Sequence, residues 1–496
     1  MSLANQVMKA SSLLVISKLA GNLLTTLNIF ILARLLTPED FGLVAIASVI
    51  VTTIQSMVQV PVAQALIRTQ DPERSHFDTA WTINVLRTLV LAVVLCAIAL
   101  PVADFYHEAE VTGIMIALAV AVLINGFTNP KFVLFEKKLN FSYLLLVNSI
   151  SKSLAIIISI AYAYYTQSYW ALIIGNIITQ TSSVIFTYVF LPYLPRFSLA
   201  KAKEIFSFSV WLSLSIVVKN LSWRFDQLIA GKLFGSAILG VYNVGSELAT
   251  LVTREVSTPL NRALFPAFAN IGEDLARLRN AYTTSISVLY SISLPLGFGI
   301  VLVAPQLIYL ALGAKWMGAV EVIQFVGGVA AMSCCTSVVK SIAMARGQTK
   351  LLFKRDMLFL GIRVTALSIG AWLFGLTGLL IGRVCSTLII LSLNFTLMRV
   401  LIDISIKEQI YAISRAFIAT AAMVLLLCQL PFANTVDGSV MTLIAYLLAK
   451  VALGGFIYAA CHIMFWLVQG KPDGIERKVL QLAQKKLGKL PFNLKV

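Results

Sequence analysis

The chain has 496 residues and a formal net charge of +17, with 59% hydrophobic and only 12% charged residues, and its mean hydropathy is +0.88. A soluble domain of that size needs far more polar surface, so the composition excludes one and marks an all-α integral membrane protein. Apolar runs of roughly 20 residues, enough to cross a hydrocarbon core of about 30 Å as helices, recur from end to end, and their continuity excludes the period-two pattern of barrel strands.

Fourteen spans are predicted, at 11–35, 42–67, 80–103, 112–135, 142–164, 168–192, 205–231, 236–264, 283–310, 320–345, 356–374, 377–398, 409–430 and 440–468. The first carries Lys18 and is too long for a cleaved signal peptide, so it reads as a span. Short connections leave no room for an appended soluble domain. Pro61, Pro259, Pro295 and Pro305 lie within spans; gating bends and static kinks that serve packing both fit them. Gly231 and Gly235 form GxxxG, a weak signal for close helix contact. After the last span, IERKVLQLAQKKLGKL sets Ile475, Val479 and Leu482 at helical spacing among five cations. An interfacial amphipathic helix and a solvated basic tail both remain open.

Lys and Arg between the spans fall 24 on one side, and on the other only Lys232 and Lys315. Cytoplasmic loops retain cations, so both termini are expected in the cytoplasm and most of the net charge is topological, not a nucleic-acid surface. Sliding the chain by 198 residues places Asn22 on Asn220, Gly42 on Gly240, Thr52 on Thr250 and Pro61 on Pro259, with ten identities over 45 positions. Six spans is an even number, so such repeats share one orientation. The expected organisation is an N-lobe over 1–200 (spans 1–6), a C-lobe over 201–404 (spans 7–12), a helical pair over 405–468 and a basic cytoplasmic tail over 469–496.

Charges at membrane depth are the most informative feature. Lys18, Arg87, Lys152, Lys219, Arg224, Arg254, Lys340, Arg363, Arg383 and Lys450 face only Asp226, Glu247 and Glu255. Each costs roughly 2.5–3.5 kcal/mol on insertion scales unless it faces protein or water. Ten cations against three acids imply a wet cavity that attracts anions. Asn243, Glu247, Thr250, Arg254, Thr258 and Asn261 advance by 4, 3, 4, 4 and 3, one polar stripe on a helix. Interhelical bridges are the competing reading: Arg224 or Lys219 with Asp226, Arg254 with Glu247 or Glu255. Lys450 and Arg383 also fit snorkelling on outer helices. The six cysteines lie in apolar runs and read as small buried residues. No metal site, Walker motif or catalytic histidine constellation is present in the sequence, so an enzyme is the weaker class.

WRFDQLIAGKLFGSAILGVYNVGSEL, continuing to NRALFPAFANI, together with ARLLTPEDFGLVAIA, resembles the polysaccharide transporter branch of the multidrug/oligosaccharidyl-lipid/polysaccharide exporter superfamily, especially its colanic-acid-exporter type of flippase. The resemblance implies a fourteen-helix, V-shaped, two-lobed exporter of the bacterial inner membrane. It would pass an undecaprenyl-diphosphate-linked oligosaccharide across by alternating access, beside a polysaccharide polymerase and a chain-length regulator. The expected cavity residues are Lys18, Asn22, Gln55, Gln59, Arg87, Lys152, Lys219, Arg224, Asn243 and Arg254. Asp226 and Glu247 are expected as counter-ions or as the site of H+ or Na+ coupling; no cofactor is expected beyond such an ion gradient. A drug or organic-cation antiporter of the same superfamily, and a membrane glycosyltransferase or polymerase, are the alternatives.

Overall fold

The motif LTPEDFG shows how the chain starts a span. Thr37 accepts a hydrogen bond from the Asp40 amide at 3.2 Å while Asp40 Oδ2 accepts from the Thr37 amide at 2.8 Å, and Pro38 takes the first helical position, where no intrahelical donor is needed. The structure, a computed structural model, describes residues 20–58, 62, 63, 66, 72–137, 142–202, 210–272, 274–430 and 439–469. Lys18, Gln59, Pro61 and the stretch 475–489 lie outside them. Among the described residues the regular structure is entirely helical. Ten helices among the described residues are long and apolar enough to cross a membrane, so the chain is a multi-pass membrane protein.

Two compact units are present, Met1–Asn243 and Val244–Val496. The first contains α1 (Ala20–Leu35), α2 (Pro38–Met57), α3 (Arg74–Tyr106), α4 (Glu110–Gly126), α5 (Ser142–Thr166), α6 (Trp170–Phe190) and the first part of α7 (Val210–Ile271). The second holds the rest of α7, α8 (Leu275–Ala311), α9 (Gly318–Met332), α10 (Cys335–Ala345), α11 (Thr349–Ile402), α12 (Ile406–Cys428) and α13 (Val440–Val468). Its core is built on α8, where Leu278, Tyr282, Ile286 and Leu289 advance by 4, 4 and 3 and are all buried.

Two helices are broken where the sequence predicts connections. α7 turns at Gly235 (φ 81°, ψ 177°), and α11 at Phe374–Gly375, with Gly375 at φ 62°; glycine reaches that region without steric cost. No atom lies within 4 Å of a Cβ added at Gly235. Gly235 therefore serves the turn and not the helix contact that GxxxG suggested. Gly231 does pack, against Leu239, Tyr106 and Ile46.

Several predicted boundaries are corrected. α2 closes at Met57, with Val58 at its C-cap, short of the predicted end near 67. The predicted span 112–135 stops at Gly126, because Asn129 instead sends its amide to the carbonyls of Thr187 (3.2 Å) and Leu191 (2.7 Å) and caps a 3-10 turn at Pro130–Phe132. The span 320–345 divides between α9 and α10, at the point where Tyr290 donates to the Met332 carbonyl at 2.8 Å. Of the cysteines, Cys334 and Cys335 are buried as expected, but Cys96, Cys385 and Cys428 are exposed on helix surfaces.

The segment after α6 is strapped to the start of α3. Buried Asp78 accepts from the Tyr193 hydroxyl at 2.5 Å and the Arg196 amide at 2.9 Å, and Thr82 accepts from the Ser198 amide at 3.0 Å. Burial first, and then the hydrogen bond to the Asp78 carboxylate, push the Tyr193 phenol well above its ordinary value. A raised acid favours the folded protein only while the free phenol stays protonated. The strap should therefore be intact below about pH 10 and weaken as pH rises beyond it. Hydrogen exchange over 191–202 should accelerate above that pH in wild type, and Tyr193→Phe should flatten the dependence; equal pH profiles would contradict it.

Candidate functional site

The best-defined charged site is on α1 and α5. Lys152 lies near the middle of α5, half-buried, and its Nζ donates to the Gly21 carbonyl and to Thr25 Oγ1, each at 2.9 Å. At Gly21 a Cβ would stand 3.3 Å from that nitrogen, so a side chain there would press on the lysine head. Seven residues further along both helices, Ser159 Oγ approaches Asn28 Oδ1 at 3.4 Å, so α1 and α5 meet along a polar seam. An ammonium has three donors, and these two bonds leave one N–H for a further acceptor. Asn22 is half-buried on the same turn of α1 and accepts from Thr26 Oγ1 through its carbonyl.

A second group is the hairpin around Gly235, which explains the charges in WRFDQLIAGKLFG. Asp226 is 1% exposed; it accepts from the hydroxyl of fully buried Tyr242 at 2.7 Å and from the Gln227 amide at 3.0 Å. Gln227 Nε2 donates to Asn243 Oδ1 at 2.8 Å. Two polar contacts, each 16 residues apart, thus stitch the arms of the hairpin. Lys232 sits at the tip, donating to the Phe105 carbonyl, 3.4 Å from His107 Nε2 and 4.4 Å above the Phe105 ring. A cation at the carbonyl end of α3 is favoured by the helix dipole. Arg224 is half-buried and Lys219 exposed on the first arm.

On the second arm, Arg254 Nη2 lies 2.7 Å from Glu247 Oε1, and its Nε lies 3.9 Å from Glu255 Oε1. The side chains of Arg254 and Glu247 are 43% and 39% exposed. Such an exchangeable pair contributes about 0–1 kcal/mol and is easily replaced by another anion. Gln55 is half-buried on α2. Arg87 on α3 is half-buried, with its Nε buried and lacking a hydrogen-bond acceptor, as is Oε1 of Gln227 a donor. Polar atoms left this way are places where water or a ligand supplies the partner. Among the described residues no group of three or more His, Cys, Asp or Glu is placed to hold a metal ion.

Lys450 does not snorkel. It is 2% exposed and donates to the Leu302 carbonyl and Gln306 Oε1 at 2.8 and 2.9 Å. Arg383 is likewise buried. Arg415 and Asp78 are buried charges that escaped the sequence reading. Arg415, on α12, is 4% exposed and lies 3.4 Å from Ser287 Oγ; its position inside a predicted span was the signal. Asp78 lies just outside the predicted start of its span, and hydropathy alone does not separate it from a loop acid.

The lipopolysaccharide biosynthesis protein WzxC of Escherichia coli K12 is 22% identical over 71% of this chain and 72% of its own length. The teichuronic acid biosynthesis protein TuaB of Bacillus subtilis 168 is 23% identical over 85% and 88%. The fold is that of the lipid II flippase MurJ in an inward closed conformation, with a TM-score of 0.68 at 12% identity over 93% of this chain and 99% of that one. It is shared with an inward-facing multidrug resistance MATE transporter of the MOP superfamily, with a TM-score of 0.60 at 16% identity over 78% and 96%. The chain thus shares its fold with a lipid II flippase and a multidrug resistance transporter. The model of the family described as polysaccharide biosynthesis protein matches residues 31–321, well over half of the sequence, and the chain belongs to that family.

Proposed function

We propose that the chain is a flippase carrying an undecaprenyl-diphosphate-linked oligosaccharide across the bacterial inner membrane by alternating access. Lys152 carries the reading: a cation at mid-span, anchored by α1 with an N–H to spare, is suited to a diphosphate and unsuited to a cationic drug. The excess of cations over acids within the spans argues the same way against an organic-cation antiporter. Asn22, Gln55, Gln59 and Asn243 would meet sugar hydroxyls; Lys18, Arg87, Lys219, Arg224 and Arg254 would pass the headgroup along; the lipid tail would remain in the bilayer. Fourteen spans in two repeat-related lobes, with both termini in the cytoplasm, complete the arrangement, and a polymerase and a chain-length regulator are the natural neighbours. Glu247, paired yet accessible, is the better candidate for H+ or Na+ coupling, because Asp226 is committed to Tyr242.

Purified protein in liposomes should translocate fluorescent polyprenyl-diphosphate glycan. Lys152→Ala should slow it about tenfold, the equivalent of one charge-assisted hydrogen bond, with Arg254→Ala giving a smaller loss. Absence of glycan movement by wild type would overturn the function; full activity in both variants would overturn the site.

A further inference from the structure

The turn at Gly235 and the start of α2 meet, and they do so by repeat-related positions. The 198-residue offset places Thr37 on Gly235, Pro38 on Ser236 and Gly42 on Gly240. α2 begins at Pro38 after its Thr37 cap, and the second arm of α7 begins after Gly235. A Cβ at Gly42 would strike the Ser236 carbonyl, and a Cβ at Gly240 would strike the Pro38 carbonyl. With 38 equivalent to 236 and 42 to 240, each contact is the repeat mate of the other. Two helix starts cross backbone on backbone, about an axis the repeat itself defines, and only glycine permits it. Leu36, Leu239, Ala33 and Ala230, on the flanking turns of the same helices, are all buried. At the rim, Lys232 on the Phe105 carbonyl and Tyr106 Oη, donating to the Leu228 carbonyl at 3.3 Å, tie the hairpin to the end of α3.

We infer that the crossing of Pro38–Gly42 with Ser236–Gly240 is the gate on the side away from the cytoplasm, and that Lys232 is its latch. The inference rests on the alternating-access reading and adds the element that moves. At Gly42 and Gly240 the two helix starts meet main chain to main chain, with no side chain between them at those two positions. For cargo to leave on that side the two helix starts must separate, and rebinding requires both glycines. A side chain at either position prevents closure while leaving the opposite conformation untouched.

The experiment is a distance measurement between spin labels at Glu39→Cys and Ala237→Cys, both exposed and repeat-equivalent, in full-length protein with the six native cysteines replaced, reconstituted in liposomes. Wild type should show a short and a long distance. Gly240→Ala should shift the closed-to-open ratio about tenfold or more toward the long one, and Lys232→Ala, which alters only the rim, should shift it in the same direction. Reversible bifunctional cross-linking of the same two cysteines should stop transport, and cleavage of the linker should restore it. A single short distance in wild type and in Lys232→Ala, from a preparation that transports, would overturn the gate even if Gly240→Ala fails to accumulate. The distance is read without any glycan, so a gate that parts while no glycan moves leaves this inference standing and sinks the flippase reading instead.

Discussion

Lys450→Ala should destabilise the protein by about 3–5 kcal/mol, the cost expected when a buried, hydrogen-bonded charge and its packed stem are removed together. Nζ serves two acceptors, Leu302 O and Gln306 Oε1, and both would lose a donor. Lys450→Met keeps the stem and removes only the ammonium, so it should cost about 1–3 kcal/mol, the range for a buried acceptor left unserved. Pairing Lys450→Met with Gln306→Leu should recover part of that loss, because the orphaned acceptor goes too. Unfolding of the purified protein in detergent, followed by intrinsic fluorescence against denaturant, gives the order: alanine least stable, methionine between, the double variant above methionine. Additive losses in the double variant would show that Lys450 and Gln306 do not act together.

The reason for a lysine there is the shape of α8. Pro295 and Pro305 lie inside that helix, and each leaves the carbonyl four residues back without its usual donor. Ser291 is four before Pro295, and its carbonyl accepts from the Tyr458 hydroxyl at 2.7 Å. Leu302, next to the carbonyl that Pro305 frees, accepts from Lys450. Lys450, Gly454, Tyr458, His462 and Trp466 recur every four residues on α13, forming one stripe, and Lys450, Gly454, His462 and Trp466 are buried. At Ser291, α13 thus supplies a donor where α8 lacks one. At Pro295, a static kink with a built partner fits the geometry.

What could be read in advance divides along a physical line. Hydropathy and period locate the helices, because insertion in lipid depends on local composition; the connections before Gly235 and at Gly375 followed from the same pattern. The Glu247–Arg254 pair was legible because both residues are on one helix, seven apart. Partners far apart in sequence were not. Lys152 meets Gly21 across 131 positions and Lys450 meets Leu302 across 148, and the acceptor in each case is a main-chain carbonyl, which every residue has. Counting acids against bases overlooked this class of partner, so a surplus of cations overstates the charge available to a ligand. The close crossing at Gly42 and Gly240 was half visible, as two glycines matched by the repeat; that they touch required the structure.

Asp226 separates the two roles that an intramembrane acid can have. Asp226→Ala should cost about 3 kcal/mol or more, because the buried Tyr242 hydroxyl loses its acceptor. With the stitches of the hairpin weakened, less protein should reach the membrane. Asp226→Asn keeps an oxygen for the Tyr242 hydroxyl and should lose far less. If the carboxylate is a structural acceptor, as its 1% exposure indicates, the asparagine variant should transport glycan within about twofold of wild type, the limit for a loss of roughly 0.4 kcal/mol. Glu247→Gln should behave in the opposite manner, with stability near wild type, since its ion pair is exchangeable, but with the pH or Na+ dependence of transport flattened. A stable, well-inserted Asp226→Asn protein that no longer responds to the ion gradient would move the coupling role to Asp226 and leave Glu247 as the simple counter-ion of Arg254.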